Sequence, residues 1–97
     1  MLDRFTMSSF APHLGETFKV RIAPEHVLDM ELVEARPLGA TAPPGREAFA
    51  LLFKGPATMI LPQRIYRIEH DAVGEHDLFI VPIGPGRGGL LYEVIFT

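Results

Sequence analysis

The sequence predicts an all-β domain, a six-stranded antiparallel small barrel or sandwich with one short N-terminal helix. Three observations predict it. After Gly15 the apolar residues recur with a period of two, the signature of half-buried strands. Nine glycines and nine prolines break the 97-residue chain into short segments joined by turns. No segment between those strands is long and periodic enough for the crossover helix that parallel strands require. A chain of this length forms one domain, residues 1–97, since common domains hold about 100–150 residues.

The elements follow in order. Thr6, Ser8 and Ser9 are helix-start residues, Pro12 is tolerated only near a helix start and Gly15 is a stop, which predicts a helix over 7–14. Phe5, Phe10 and Leu14 give it an apolar side with which to dock. Phe18, Val20 and Ile22 alternate with polar neighbours in a strand over 16–22; Leu28, Met30 and Leu32 do so in a second over 27–36. Pro37 to Gly45 is a Pro- and Gly-rich loop, the segment expected to be most mobile. Further strands are predicted over 46–54, 64–70, 76–83 and 89–96. Asp71 to Glu75 is read as a hairpin loop and Gly84 to Gly89 as a glycine-rich turn.

The later strands are apolar on both sides, a pattern that indicates burial of both faces. Taking Phe53, Phe79, Val81, Tyr92 and Val94 as core leaves Leu52, Leu78, Ile80, Leu91 and Ile95 on the opposite face. The N-terminal helix is long enough to shield two or three of these five. The remainder is expected to be a self-association face, and the chain a homo-oligomer, with a dimer as the closed solution found most often.

Composition narrows the function classes. The net charge is −3, and nine basic residues without a run or stripe are a poor footprint for nucleic acid. There is no Cys, Trp or Asn, so thiolate metal sites, disulfides and a cysteine nucleophile are excluded. No secretory signal is read at the N-terminus, and the longest wholly apolar run, Ala48 to Phe53, is far short of the roughly 20 residues of a membrane helix. A cytoplasmic protein with no membrane or nucleic-acid partner is expected.

The candidate chemistry is sparse. Gly84, Gly86 and Gly89 spell G-x-G-x-x-G, but a β-patterned segment follows where a dinucleotide site needs a helix, so the reading is a hairpin turn. His70 and His76 flank the predicted loop and, with Asp71, Glu75 or Asp77, compose a two-His-one-carboxylate set. That spacing matches no established metal motif, and solvated loop-end histidines are the reading preferred. His13 and His26 stand alone in sequence. Ser8 and Ser9 sit in no nucleophile elbow. Tyr66 and Tyr92 are expected at the core edge, their hydroxyls on backbone or water. No catalytic, metal or cofactor residue is assigned, and no enzyme activity is expected.

The stretches Phe49-Ala50-Leu51-Leu52-Phe53-Lys54-Gly55-Pro56, Leu61 to His70, Leu78 to Gly84 and Tyr92 to Phe96, with Phe10 to Phe18, resemble a family of small uncharacterised bacterial proteins labelled as a domain of unknown function. The resemblance spans nearly the whole chain. It implies a shared fold and no activity, and a neighbourhood beside collar-type proteins of phage-tail-like systems. The matching positions, Phe53, Gly55, Pro56, Pro62, Tyr66, Pro82 and Gly84, are scaffold types. Gln63, Glu69, His70 and Glu93 are the polar exceptions and carry no role from the resemblance. The expectation is a non-enzymatic interaction or assembly module with a protein partner, the alternative a small-molecule-binding barrel.

Overall fold

A computed structural model describes residues 7–38 and 48–96. Six strands follow one another along the chain: β1 (Thr17–Ala23), β2 (His26–Pro37), β3 (Phe49–Gly55), β4 (Arg64–His70), β5 (Gly74–Gly86) and β6 (Gly89–Phe96). They close into an antiparallel barrel in the order β1-β2-β3-β6-β5-β4. The ladder that closes it, β1 on β4, is short, pairing Lys19, Val20 and Arg21 with Glu69, Ile68 and Arg67. The predicted loop from Pro37 to Gly45 and the predicted start of the third strand lie largely outside the described residues.

Alternation supplies the interior. Phe18 and Val20, Met30 and Leu32, Phe49, Leu51 and Phe53, Tyr66 and Ile68, Leu78 and Ile80, and Tyr92 and Val94 point inward from the six strands and are buried. A six-stranded barrel is narrower than the eight-stranded ones whose interiors side chains just fill. Aromatic side chains fill much of this one: Phe18 meets Phe53 edge-on at 5.3 Å, and Phe49 stacks on Phe96 at 4.4 Å. The tyrosine hydroxyls reach backbone at the core edge, Tyr66 donating to the Pro62 carbonyl (2.7 Å) and Tyr92 accepting from the Leu61 N–H (3.0 Å).

The N-terminal segment differs from the expected helix. It forms two 3-10 turns, Met7–Ser9 and Ala11–His13. The bonds are one residue shorter than in an α-helix, from the His13 N–H to the Phe10 carbonyl (2.8 Å) and from the Leu14 N–H to the Ala11 carbonyl (3.3 Å). Pro12 has no N–H to donate, which prevents a continuous α ladder. Its task also differs. Rather than shielding an outer face, the segment drops Phe10 into the core, against Phe18, Phe49 and Phe96 at 5.6–6.5 Å.

On β5 the predicted faces are reversed. Leu78 and Ile80 are core residues, whereas Phe79 and Ile83 are about half exposed. The register fixes this: Tyr66 pairs with Leu78 and Ile68 with His76, so even-numbered residues of both strands share the inward side. The hairpin loop is Asp71 to Val73, two residues shorter than predicted, because Gly74 (φ +92°) already pairs with His70. A bulge at Ile83 turns the end of β5, and another at Val33 turns β2.

The glycine-rich segment is the tight β5–β6 turn. A side chain at Gly89 would collide with the Gly55 carbonyl oxygen, so this close approach of β6 to β3 requires glycine. No helix follows, in keeping with the hairpin reading.

Candidate functional site

The five residues predicted to form the self-association face have four different fates. Leu78 and Ile80 are inside the barrel. Leu52 faces outward yet is buried at 9% exposure. Its neighbours across the ladders are Glu34 on β2 and Glu93 on β6. Arg36 bonds both carboxylates, Glu34 at 3.4 Å and Glu93 at 3.2 Å, so its side chain lies across β3 above Leu52 and Ala50. Leu91 is half-buried over Gly86, where no side chain stands in its way. Ile95 alone of the five is bare, at 49%.

The bare apolar surface lies elsewhere on the barrel. Ile65 and Phe79 are a directly opposed pair on β4 and β5, and both face outward, 65% and 51% exposed. Ile95 has the same outward parity on β6, two residues past the Val81–Glu93 pair. Sequence reasoning missed Ile65 and Phe79. The signal was present: Arg67 and Glu69 mark the odd positions of β4 as outward, and hairpin pairing carries that parity onto β5.

A polar cluster closes the end of the barrel where Phe10 enters. Glu16, just ahead of β1, accepts on one oxygen, Oε1, from His13 Nδ1 (3.0 Å) and His70 Nε2 (2.8 Å). The two imidazoles lie 4.6 Å apart, and His70 stacks on Phe18 at 4.3 Å. These bonds to His70 and then His13 hold the Glu16 carboxyl below its ordinary range. The His70–His76 set weighed from the sequence does not assemble, and His70 is not the solvated loop-end residue that was preferred: the two face Gly74 and Ile68 across the hairpin, His76 contacts the Val73 carbonyl at 2.8 Å, and the His70 side chain is largely buried and bonded on both ring nitrogens. His13, which sequence spacing left isolated, is the true partner, brought 57 positions along the chain by the N-terminal turns.

His13, Glu16 and His70 have the composition of a metal site, their ligand atoms within 4.8 Å of one another. The hydrogen bonds behind His70 argue against that use. Its Nδ1 accepts from the backbone N–H groups of Ala72 (3.0 Å) and Val73 (3.3 Å), which places the ring proton on Nε2, facing Glu16. Ligation through Nε2 needs a lone pair there and a proton on Nδ1, against two donors. Metal-bound histidines show the opposite arrangement, with the second nitrogen donating. The cluster is a hydrogen-bonded clasp between the N-terminal turns and the β4–β5 hairpin.

Beside the clasp lies a groove of about 370 Å³, lined by Glu16, Glu69, Asp71 and Glu75 against Lys19. Its charge is largely answered from within. Arg21 bonds Glu69 at 2.8 and 3.3 Å, which lowers the Glu69 carboxyl and raises the guanidinium, and Arg67 reaches Glu75 at 3.6 Å. Thr17 is the hydroxyl at its rim; no nucleophile, base and orienting group converge there among the described residues.

A profile described as a domain of unknown function, DUF6916, matches residues 5–96. The chain belongs to the DUF6916 family. No curated protein and no solved structure matches it significantly. Within this DUF6916 domain the family match takes in the whole barrel, the clasp and the Ile65–Phe79 pair. Among the described residues no helix is long and apolar enough to cross a membrane.

Proposed function

We propose that the protein is a non-enzymatic docking module whose rigid barrel presents the outer face of β4 and β5 to a protein partner. The observation that carries this reading is the exposed Ile65–Phe79 pair, two large apolar side chains side by side on the β4–β5 ladder. Surface patches of this kind mark interaction sites, and aromatic residues are enriched among interface anchors. The filled interior supports docking over the alternative of a ligand-binding barrel: Tyr92, Phe10, Phe18, Phe49 and Phe53 leave the core occupied by side chains. The sequence resemblance supports a phage-tail-like assembly, formed from cytoplasmic components, as the setting.

The test is a benzophenone cross-linker placed in the native cell at position 65, and at position 29 on the exposed β1–β2 ladder as a control. Docking predicts an adduct of defined mass from position 65 and none from 29. No adduct from position 65, with the chain folded, overturns it.

A further inference from the structure

We propose that the partner on this face is a basic protein segment, one that sets a large apolar anchor on Ile65 and Phe79 and lays lysine or arginine into the acidic groove beside the clasp; the inference rests on the docking reading above. The ladder puts both features on one face. Odd residues of β4 and β5 point outward in three successive rows: Ile65 with Phe79, Arg67 with Asp77, Glu69 with Glu75. The third row and Asp71 just beyond it line the groove. Four residues separate the apolar row from the groove, about 13 Å at roughly 3.3 Å per residue. A partner chain covers that distance in about four residues if extended, or about nine if helical.

Charge selects the occupant. Arg67 is one cation for two carboxylates, Asp77 at 3.2 Å and Glu75 at 3.6 Å. Arg21 is taken up by Glu69, and Lys19 reaches out to Asp29 at 3.6 Å. Asp71 has no cation beside it among the described residues, and Glu16 is met only by the imidazoles of His13 and His70. Arg64 carries the inward parity of Tyr66 and lies over its ring, so it adds no cation to the outer rows. Lys19, Arg21 and Arg67 thus stand among six carboxylates, an excess of three. The net charge of the chain is also −3, so its other basic and acidic residues balance, and the whole excess sits beside the bare apolar pair. Complementary charge steers encounter and rejects wrong partners. Phosphate backbones and anionic lipid are repelled by this surface, and a second copy of the chain brings the same negative excess.

The position-65 cross-link in the native cell supplies the test. The captured segment, read by mass spectrometry, should hold lysine or arginine within about nine residues of the linked atom, the reach of a helix across the face. Asp71→Lys with Glu75→Lys should lower the adduct yield about tenfold or more. Glu31→Lys with Glu34→Lys makes the same charge change on β2, across the ring from β5, and should leave the yield within about twofold. Circular dichroism should be unchanged in both variants. A captured segment without basic residues, a second copy of this chain as the captured protein, or a yield indifferent to Asp71→Lys with Glu75→Lys overturns the inference and leaves docking standing. No adduct from position 65 overturns both readings.

Discussion

Two outer faces of the same barrel carry large apolar residues and treat them differently. On β2–β3–β6, Ala50 and Leu52 point outward and are almost fully buried, and Arg36 reaches across this face from Glu34 to Glu93. On β4–β5, Ile65 and Phe79 point outward with nothing of that kind above them: Arg67 runs to Asp77 and Glu75, away from the pair. The aliphatic stem of an arginine is apolar enough to roof a leucine while its head stays in water. Orientation relative to the barrel wall therefore does not decide burial. A long side chain anchored at both ends closes one face, and its absence leaves the other open.

The sharpest test of this picture uses neighbours on one strand. Ile80 is wholly buried and Phe79 half exposed. Ile80→Lys should abolish folding, since it places an ammonium in a filled core, and Ile80→Ala should cost about 2–5 kcal/mol. Phe79→Lys should leave the unfolding free energy within about 0.5 kcal/mol of wild type, as surface changes do. Equal losses from the two lysine variants would show that β5 does not separate an inside from an outside here.

The next contrast crosses the two faces. Leu52→Ala should cost about 2 kcal/mol, at the low end for a buried leucine because its roof can settle. Ile65→Ala should cost about 0.5 kcal/mol or less. Both residues point outward, so urea midpoints that fall equally would mean that Arg36 gives Leu52 no cover.

These contrasts show what was legible in the sequence. All six strands were, because Gly and Pro end them and alternation fills them; Phe18, Met30, Phe53, Tyr92 and Val94 were correctly read as inward. β5 was misread because Leu78-Phe79-Ile80-Val81 is apolar on both sides and period two cannot choose between them. Only the pairing with β4, whose Arg67 and Glu69 mark a polar side, breaks the tie. The Arg36 bridge was illegible: its carboxylates sit on strands far apart in sequence, and the bulge at Val33 alters the parity that brings Glu34 outward. The clasp was half visible. His70 stood out, but its partners His13 and Glu16 belong to a segment whose path depends on Phe10 finding the core.

Removing the roof itself should matter less. Arg36 makes exposed ion pairs, worth roughly 1 kcal/mol or less together. Arg36→Ala should cost about 1 kcal/mol, and Arg36→Met about half of that, because methionine keeps much of the apolar stem over Leu52. If the two variants lose the same stability, charge rather than cover holds this face.

Acid should act on neither face first but on the barrel end. The carboxyls of Glu16 and Glu69 are held below their ordinary value of 4.5, by His70 and His13 in one case and by Arg21 in the other. The unfolded chain therefore takes up protons at these groups before the folded one does. Their contribution is complete above about pH 4.5 and is lost as pH falls through the lower folded values. Melting temperature should decline over that range, with a smaller decline in Glu16→Gln, and identical slopes would show that the clasp does not couple to folding.

The smallest effect expected is none at all, from zinc. A metal bound to the folded chain alone raises its stability in proportion to the logarithm of free metal over the dissociation constant. His13, Glu16 and His70 offer the right atoms, so a shift would be natural if composition decided binding. Proton placement decides instead: a ligating His70 would have to turn a protonated Nδ1 toward the Ala72 and Val73 N–H groups and lose both bonds. Zinc added to the purified chain should leave its melting temperature unchanged. A rise of several degrees that disappears in both His13→Ala and His70→Ala would mean that the β4–β5 turn rearranges to free the ring, and the clasp would then be a metal site waiting for its ion.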